Sequence, residues 1–156
     1  MILSRLPFII CLFFSGILSG LFAMGTIVIQ PVSVRLPTEA QILFRQQMIS
    51  RLHYLAQFLM LGAFFSSVFT AIFSSLGWSR ALLLFNVAMF GLSILITLLC
   101  NVPLNHRFME WQLNAPPGNW TKLVRKWALY DKIRFGLCLL SFSLALVAWS
   151  LTETTR

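Results

Sequence analysis

Charged residues are scarce in this sequence of 156 residues, since 10% are charged and 58% are hydrophobic. A soluble domain carries about a quarter of its residues as charged side chains, which keep its surface in contact with water. Acidic residues are the scarcest, with four Asp and Glu against twelve Lys and Arg. The composition therefore excludes a water-soluble domain and indicates a basic membrane protein.

Cysteine is also rare, and its pattern excludes two common kinds of site. The three cysteines, Cys11, Cys100 and Cys138, lie in three different apolar stretches, and no pair has metal-ligand spacing. An odd number does not suit a disulfide framework, so we interpret them as small buried side chains. A phosphate-binding glycine loop, a nucleophile elbow and a metal box are absent from the sequence as well. No metal site is predicted.

Long apolar stretches are what the sequence has in abundance. They cover residues 8–30, 52–76, 81–104 and 133–151. Each can cross a hydrocarbon core of about 30 Å at about 1.5 Å per residue, and none alternates strictly as a barrel strand would. The first stretch exceeds the core of a cleaved signal peptide, so we expect it to be retained. We predict an all-α, integral membrane four-helix bundle that forms one domain over residues 1–156.

The basic residues are divided unequally between the two sides of such a bundle. The side that holds the termini carries three basic residues, Arg5, Arg80 and Arg156. The side that holds the two long loops carries nine: Arg35, Arg45, Arg51, Arg107, Lys122, Arg125, Lys126, Lys132 and Arg134. The positive-inside rule places the long loops in the cytoplasm and both termini outside, most simply in a bacterial inner membrane. These cations are expected to contact anionic headgroups rather than nucleic acid.

Both long loops are predicted to contain amphipathic helical extensions of the spans. One helix should begin near Glu39. Its apolar face is formed by Leu43, Phe44, Met48, Leu52 and Leu55, and its polar face by Arg45, Gln46, Gln47 and Arg51. The other should begin after Pro116-Pro117-Gly118-Asn119, with one face formed by Trp120, Leu123, Trp127 and Tyr130.

Polar residues recur on one face of each of the last three spans, and such faces should turn away from lipid. The second span has two such residues one turn apart, His53 and Gln57. The third span has a stripe formed by Asn86, Ser93, Thr97 and Asn101, and the fourth has one formed by Asp131, Arg134, Cys138 and Ser141. Pro103 cannot donate a backbone hydrogen bond, so the third helix should bend or end there and direct Asn105 and His106 across the bundle. We therefore expect a polar cluster at the cytoplasmic mouth.

Two short segments resemble motifs of the anthrone oxygenase-like family, which is also described as a domain of unknown function. One is Asn101-Val102-Pro103-Leu104-Asn105, which follows a long span, and the other is Trp127 followed by Asp131 and Arg134. The first span, which ends in Pro31, looks similar too. The resemblance implies a four-span membrane fold. Some fungal members are linked to the oxidation of anthrones to anthraquinones by molecular oxygen without a metal or flavin. Asp131 departs from the pattern, which has Asn or His there.

The resemblance implies roles for the polar cluster. His53 or His106 would be the base, with Asp131 as a third catalytic candidate. The candidate substrate-binding residues are Gln57, Asn101, Asn105, Trp111, Trp127 and Arg134. On this interpretation the protein acts on or binds a lipophilic, aromatic or quinone-like molecule at the cytoplasmic interface, and no cofactor is predicted.

Two other functions also fit the residues. One is a non-catalytic accessory or assembly bundle, as a homodimer or with a membrane partner, whose polar cluster only orders helices. It predicts packed side chains where an enzyme or binder would have a ligand-sized cavity. The other is a haem-binding protein with His53 and His106 as the iron ligands.

Overall fold

The computed structural model describes residues 5–74 and 77–154, which form four long helices and no strand. The helices are α1 (Leu6–Ser33), α2 (Thr38–Phe73), α3 (Trp78–Met109) and α4 (Trp120–Thr154). Each is long and apolar enough to span a membrane, which confirms the predicted all-α membrane bundle.

Each predicted span lies on its own helix, although the helices extend beyond the spans. Residues 75–76 at the end of the second predicted span, and Arg156 in the charge comparison, lie outside the described residues. The turn into α3 uses Gly77, whose φ of 132° is a backbone conformation that side chains with a Cβ rarely adopt. That glycine permits a short connection between α2 and α3.

The helices pack in the order of the chain, α1 on α2, α2 on α3, α3 on α4 and α4 back on α1. Three apolar clusters fill the bundle from one end to the other. A central cluster contains Leu18, Phe90 and Cys138, and one near the short turn contains Phe8 and Ala148. The third joins Leu104, Phe108, Val124 and Trp127 at the end that carries the two long connections, hereafter the loop end.

Two helices contain a π-helical turn, and each turn comes just before a proline. Met24–Ile29 precedes Pro31 in α1, and Thr97–Asn101 precedes Pro103 in α3. The backbone N–H groups of Gln30 and Val102 accordingly donate to carbonyls five residues back, at Gly25 and Thr97. Proline lacks an N–H and clashes with the carbonyl four residues earlier, so a wider turn lets the helix continue. The third helix therefore continues to Met109, rather than ending at Pro103.

The amphipathic extension at the start of α2 turns part of its predicted apolar face outward and buries Arg45 of its predicted polar face. Gln41, Ile42 and Arg45 are buried, whereas Leu43 and Phe44 are exposed. In a membrane, the exposed apolar side chains contact lipid while the polar ones turn inward, which reverses the arrangement in water. The extension at the start of α4 is confirmed, because the predicted apolar face of Trp120, Leu123, Trp127 and Tyr130 joins the loop-end cluster.

The predicted polar stripes of α3 and α4 are buried, apart from the half-buried Thr97, and tie neighbouring helices together, whereas His53 and Gln57 on α2 are exposed. Asn86 Nδ2 on α3 donates to the carbonyl of Ser141 on α4 over 2.7 Å, and Ser19 Oγ on α1 donates to the carbonyl of Cys138 over 2.9 Å. Such interhelical hydrogen bonds in membrane proteins contribute about 0.6 kcal/mol each. Cys11 and Cys138 are buried free thiols, as expected, and Cys100 is half-buried.

Gly62 on α2 gives a test of the packing, since a Cβ there would lie 2.5 Å from the Phe14 ring of α1. Gly62→Ala should destabilise the bundle by about 1–3 kcal/mol, the usual effect of overpacking. Thermal unfolding in detergent, followed by circular dichroism, measures the change. Gly136→Ala is the matched control, because nothing lies within 4 Å of its Cβ position. Equal melting temperatures for the two variants would contradict the close approach.

Candidate functional site

A cavity of about 420 Å³ lies between the four helices near the loop end. Small-molecule sites typically measure about 300–1,000 Å³. All four helices line it, with mostly apolar side chains such as Phe22, Leu52, Met60 and Leu98. Seven side chains that can form hydrogen bonds complete the wall: His53, Gln57, Thr97, Asn105, Trp127, Asp131 and Arg134. A mostly apolar cavity with a few converging polar groups is the arrangement expected of a ligand site.

Asp131 and Arg134, one turn apart on α4, form a buried ion pair on this wall. Arg134 Nη2 donates to Asp131 Oδ1, and Arg134 Nη1 donates to Thr97 Oγ1 on α3 over 3.0 Å. The guanidinium carbon also lies 4.6 Å from the centre of the Phe22 ring on α1. Contacts to three helices fix the arginine in place, so its position does not depend on a ligand.

Arg45 on α2 forms a second buried cationic centre beside this pair. Its guanidinium carbon lies 4.9 Å from the centre of the Trp127 ring and 5.5 Å from that of Phe108. Its Nη2 donates to Gln30 Oε1 over 3.4 Å, and its charge interacts with that of Asp131. Cation–π contacts of this kind are worth about 2 kcal/mol or more when water is excluded. They hold the Trp127 ring in its place on the cavity wall.

Trp127 in turn fixes the direction of the Asn105 amide. The indole Nε1–H donates to Asn105 Oδ1 over 2.7 Å. Because the amide oxygen accepts this bond, the amide NH₂ is the part of Asn105 that remains to donate. Asn105 on α3 and Arg134 on α4 thus both bring hydrogen-bond donors to the lining of the cavity.

His53 and Gln57 lie on the opposite wall, one turn apart on α2. Both side chains are exposed although they line the cavity, as are Leu61 on α2 and Leu98 on α3. The cavity therefore opens sideways between α2 and α3. A histidine at the rim of an apolar cavity can exchange a proton with water while its other side faces a ligand.

Three of the nine residues predicted from the sequence do not line this cavity. His106 is exposed on α3, so the cavity presents His53 without the second histidine of the haem-binding interpretation. Trp111 packs on Phe108, with ring centres 4.6 Å apart, and borders a separate surface groove. Asn101 is 1% exposed, and its amide has no hydrogen-bond partner among the described residues.

Sequence reasoning missed Arg45, Thr97 and Gly25 as members of the site. Gly25 belongs to the π turn of α1, where a Cβ would lie 3.5 Å from Asp131 Oδ2. Gln41, Arg45 and His53 share one face of α2 by helical spacing. Spacing alone does not indicate whether that face turns inward at the end of a membrane helix.

The comparisons with known proteins place the chain in one family. The family model described as anthrone oxygenase matches residues 45–144, which is more than half of the chain and includes all nine predicted site residues. No curated protein and no solved structure matches the chain.

The buried charges make a prediction about stability. Asp131→Asn removes the carboxylate that compensates Arg134 and Arg45, and leaving a buried charge unpaired typically costs about 3–5 kcal/mol. Unfolding in detergent should show a loss of this size, and a second change, Arg134→Met, should recover part of it. Glu110→Gln is the control, since this acid near the same end is exposed. If Asp131→Asn and Glu110→Gln are equally stable, the carboxylate does not carry this role.

Proposed function

The chain belongs to the anthrone oxygenase family, and we propose that it oxidises a flat, lipophilic hydroxyaromatic molecule of the anthrone type with molecular oxygen. The cavity between the four helices is the observation that carries this proposal. Its volume suits a small fused-ring molecule, and its polar groups lie on two facing walls. A bundle whose polar residues served only to order helices would have packed side chains here, as argued from the sequence.

The reaction replaces a CH₂ group of the substrate by a carbonyl. A base removes a proton from the CH₂ group or its enol tautomer, and the remaining electron pair forms an electron-rich anion. The anion transfers electrons to oxygen and forms a C–O bond, which gives a hydroperoxide after protonation. Loss of one water molecule then leaves the quinone carbonyl, so one O₂ is consumed and one H₂O released. In this proposal no cofactor takes part, because the substrate anion is itself the reductant.

His53 is the proposed base. It lines the cavity at the loop end of the second predicted span, which begins at residue 52, so a proton taken from the substrate can pass to water at that interface. Positioned general bases typically accelerate proton removal by about 10²–10⁴-fold. Gln57, one turn further along α2, is placed to orient the same edge of the substrate.

Arg134 and Asn105 are the proposed donors to the oxygen that becomes negative as the proton leaves. Both are held by other side chains, Arg134 by Asp131 and Thr97, and Asn105 by Trp127. Donors fixed in advance stabilise developing charge most in a site that excludes water. The indole of Trp127 supplies an aromatic face for the substrate, and Asp131 acts by positioning Arg134.

We further propose that the loop end faces the cytoplasm, with both termini outside. The nine basic residues on the two long loops support this orientation through the positive-inside rule. A substrate dissolved in the bilayer would then reach the cavity from the side, through the opening between α2 and α3. A bacterial inner membrane is the simplest host for this orientation.

The test of the proposed function is anthrone oxidation by the protein purified in detergent under air. Anthraquinone formation is followed by absorbance, and the spontaneous rate without protein is subtracted. Replacing the base by His53→Gln should lower the catalysed rate by about a hundredfold. His106→Gln, which changes a histidine outside the cavity, tests the alternative base. A large loss in His106→Gln alone would transfer the role to His106, and no acceleration by the unaltered protein would contradict the function.

A further inference from the structure

The positive charges buried at and beside the cavity outnumber the negative ones, since Arg134 lines it and Arg45 lies behind Trp127. Arg45, Asp131 and Arg134 are only 3%, 4% and 6% exposed, so two guanidinium groups share one buried carboxylate. The chain has three other acidic residues. Glu39 and Glu110 are exposed. Glu153 belongs to the far end of α4, about 33 Å along the helix from Asp131. Among the described side chains, about one buried positive charge is therefore left uncompensated.

Burying an uncompensated charge is costly, by several kcal/mol even after relaxation. The rings of Phe22, Phe108 and Trp127 offset part of this cost through their contacts with the two guanidinium groups. A ring face attracts a cation but does not neutralise it. The excess charge is thus available to a ligand that brings a negative charge into the cavity.

Hydrogen-bond donors are left over at the same place. Nε of Arg134 and Nε of Arg45 are buried and have no acceptor among the described residues. Arg134 lies on the cavity wall, with both of its Nη groups already engaged by Thr97 and Asp131. Asn105, whose NH₂ group remains to donate, lines the cavity as well. An anionic oxygen in the cavity would meet the positive charge of Arg134 and this amide donor.

We propose that the cavity selects flat aromatic ligands that carry an anionic oxygen, and that Arg134 determines this selectivity. This inference rests on the proposed function and narrows its substrate class to ionised molecules, namely aromatic carboxylates or phenolates. Both present an oxygen with a full or partial negative charge to the arginine. Neutral molecules of the same shape bind more weakly, because they leave the buried charge uncompensated.

Ligands that cannot be oxidised further test the inference without any turnover. We would measure the dissociation constants of an anthraquinone carboxylate and of the corresponding primary carboxamide, from the quenching of tryptophan fluorescence in an uncharged detergent. The carboxylate should bind about tenfold more tightly, as one charge-assisted hydrogen bond predicts. A hydroxyanthraquinone, measured below and above the ionisation of its hydroxyl group, tests the phenolate in the same way. A preference for either anion supports the inference.

Three variants show whether the preference comes from the site. Arg134→Met should reduce it to within about twofold, by removing one charge. Asp131→Asn should increase it, because the net buried charge rises. Arg125→Met removes an exposed cation and should leave it unchanged. If Arg134→Met does not fold, Asp131→Asn still decides the question, with ligand-induced shifts of its melting temperature as the measurement.

Equal affinities for the carboxylate and the carboxamide would overturn the inference. An unchanged preference for the anion in Asp131→Asn would overturn it as well. So would an equal fall of that preference in Arg134→Met and Arg125→Met, because the preference would then come from the general basicity of the protein. The proposed function is tested separately. Anthrone oxidation without an anion preference would contradict only this inference, and an anion preference without anthrone oxidation would contradict only the proposed function.

Discussion

Among the described side chains, Asp131 is the only buried carboxylate, and the loop end of the bundle is organised around it. It pairs with Arg134 on its own helix, interacts with the charge of Arg45 on α2, and approaches the π turn of α1 at Gly25. Through Arg134 it is also connected to Thr97 on α3. A single charge in an apolar medium thereby ties all four helices together, because each of its partners would be more costly to bury without it.

The aromatic residues at the loop end fill space and also stabilise the buried charges. Trp127 receives the guanidinium of Arg45 at its ring and donates its N–H to Asn105, so one side chain transmits the position of a cation to an amide on another helix. Both contacts gain strength where water is excluded, since the local dielectric constant is low. The cavity is rigid on the α4 side and accessible on the α2 side, where His53 and Gln57 lie exposed.

The sequence was sufficient for the spans, for the inward faces of α3 and α4, and for six of the nine residues that were expected at one site. The spans and faces rely on hydropathy and on helical spacing, which fix depth and face to within about a turn, whereas Trp127 entered the site through the resemblance to the family. The position of Arg45 could not be obtained that way, because in a membrane the inward face of a helix end is decided by its partners, here Gln30 and Trp127. His106 lies near the predicted depth, but its side chain is on an exposed face of α3 and outside the cavity lining. Pro103 indicated a disturbed helix, yet a proline alone does not distinguish a kink, an end and a π turn.

The π turn at Thr97–Asn101 also determines how this region tolerates changes in length. Compared with an α-helical turn, it accommodates one more residue, and each residue of an α-helix turns the chain by about 100°. Because the wider turn absorbs one residue, loss of one residue within it would restore regular α-helix geometry and would leave the side chains on both sides facing as they do now, Asn105 toward Trp127 included. Loss of one residue from a regular α-helical stretch of α3 would instead rotate every side chain beyond it by about 100°. The π turn thus lets this segment tolerate a one-residue change in length that the rest of the helix could not accept.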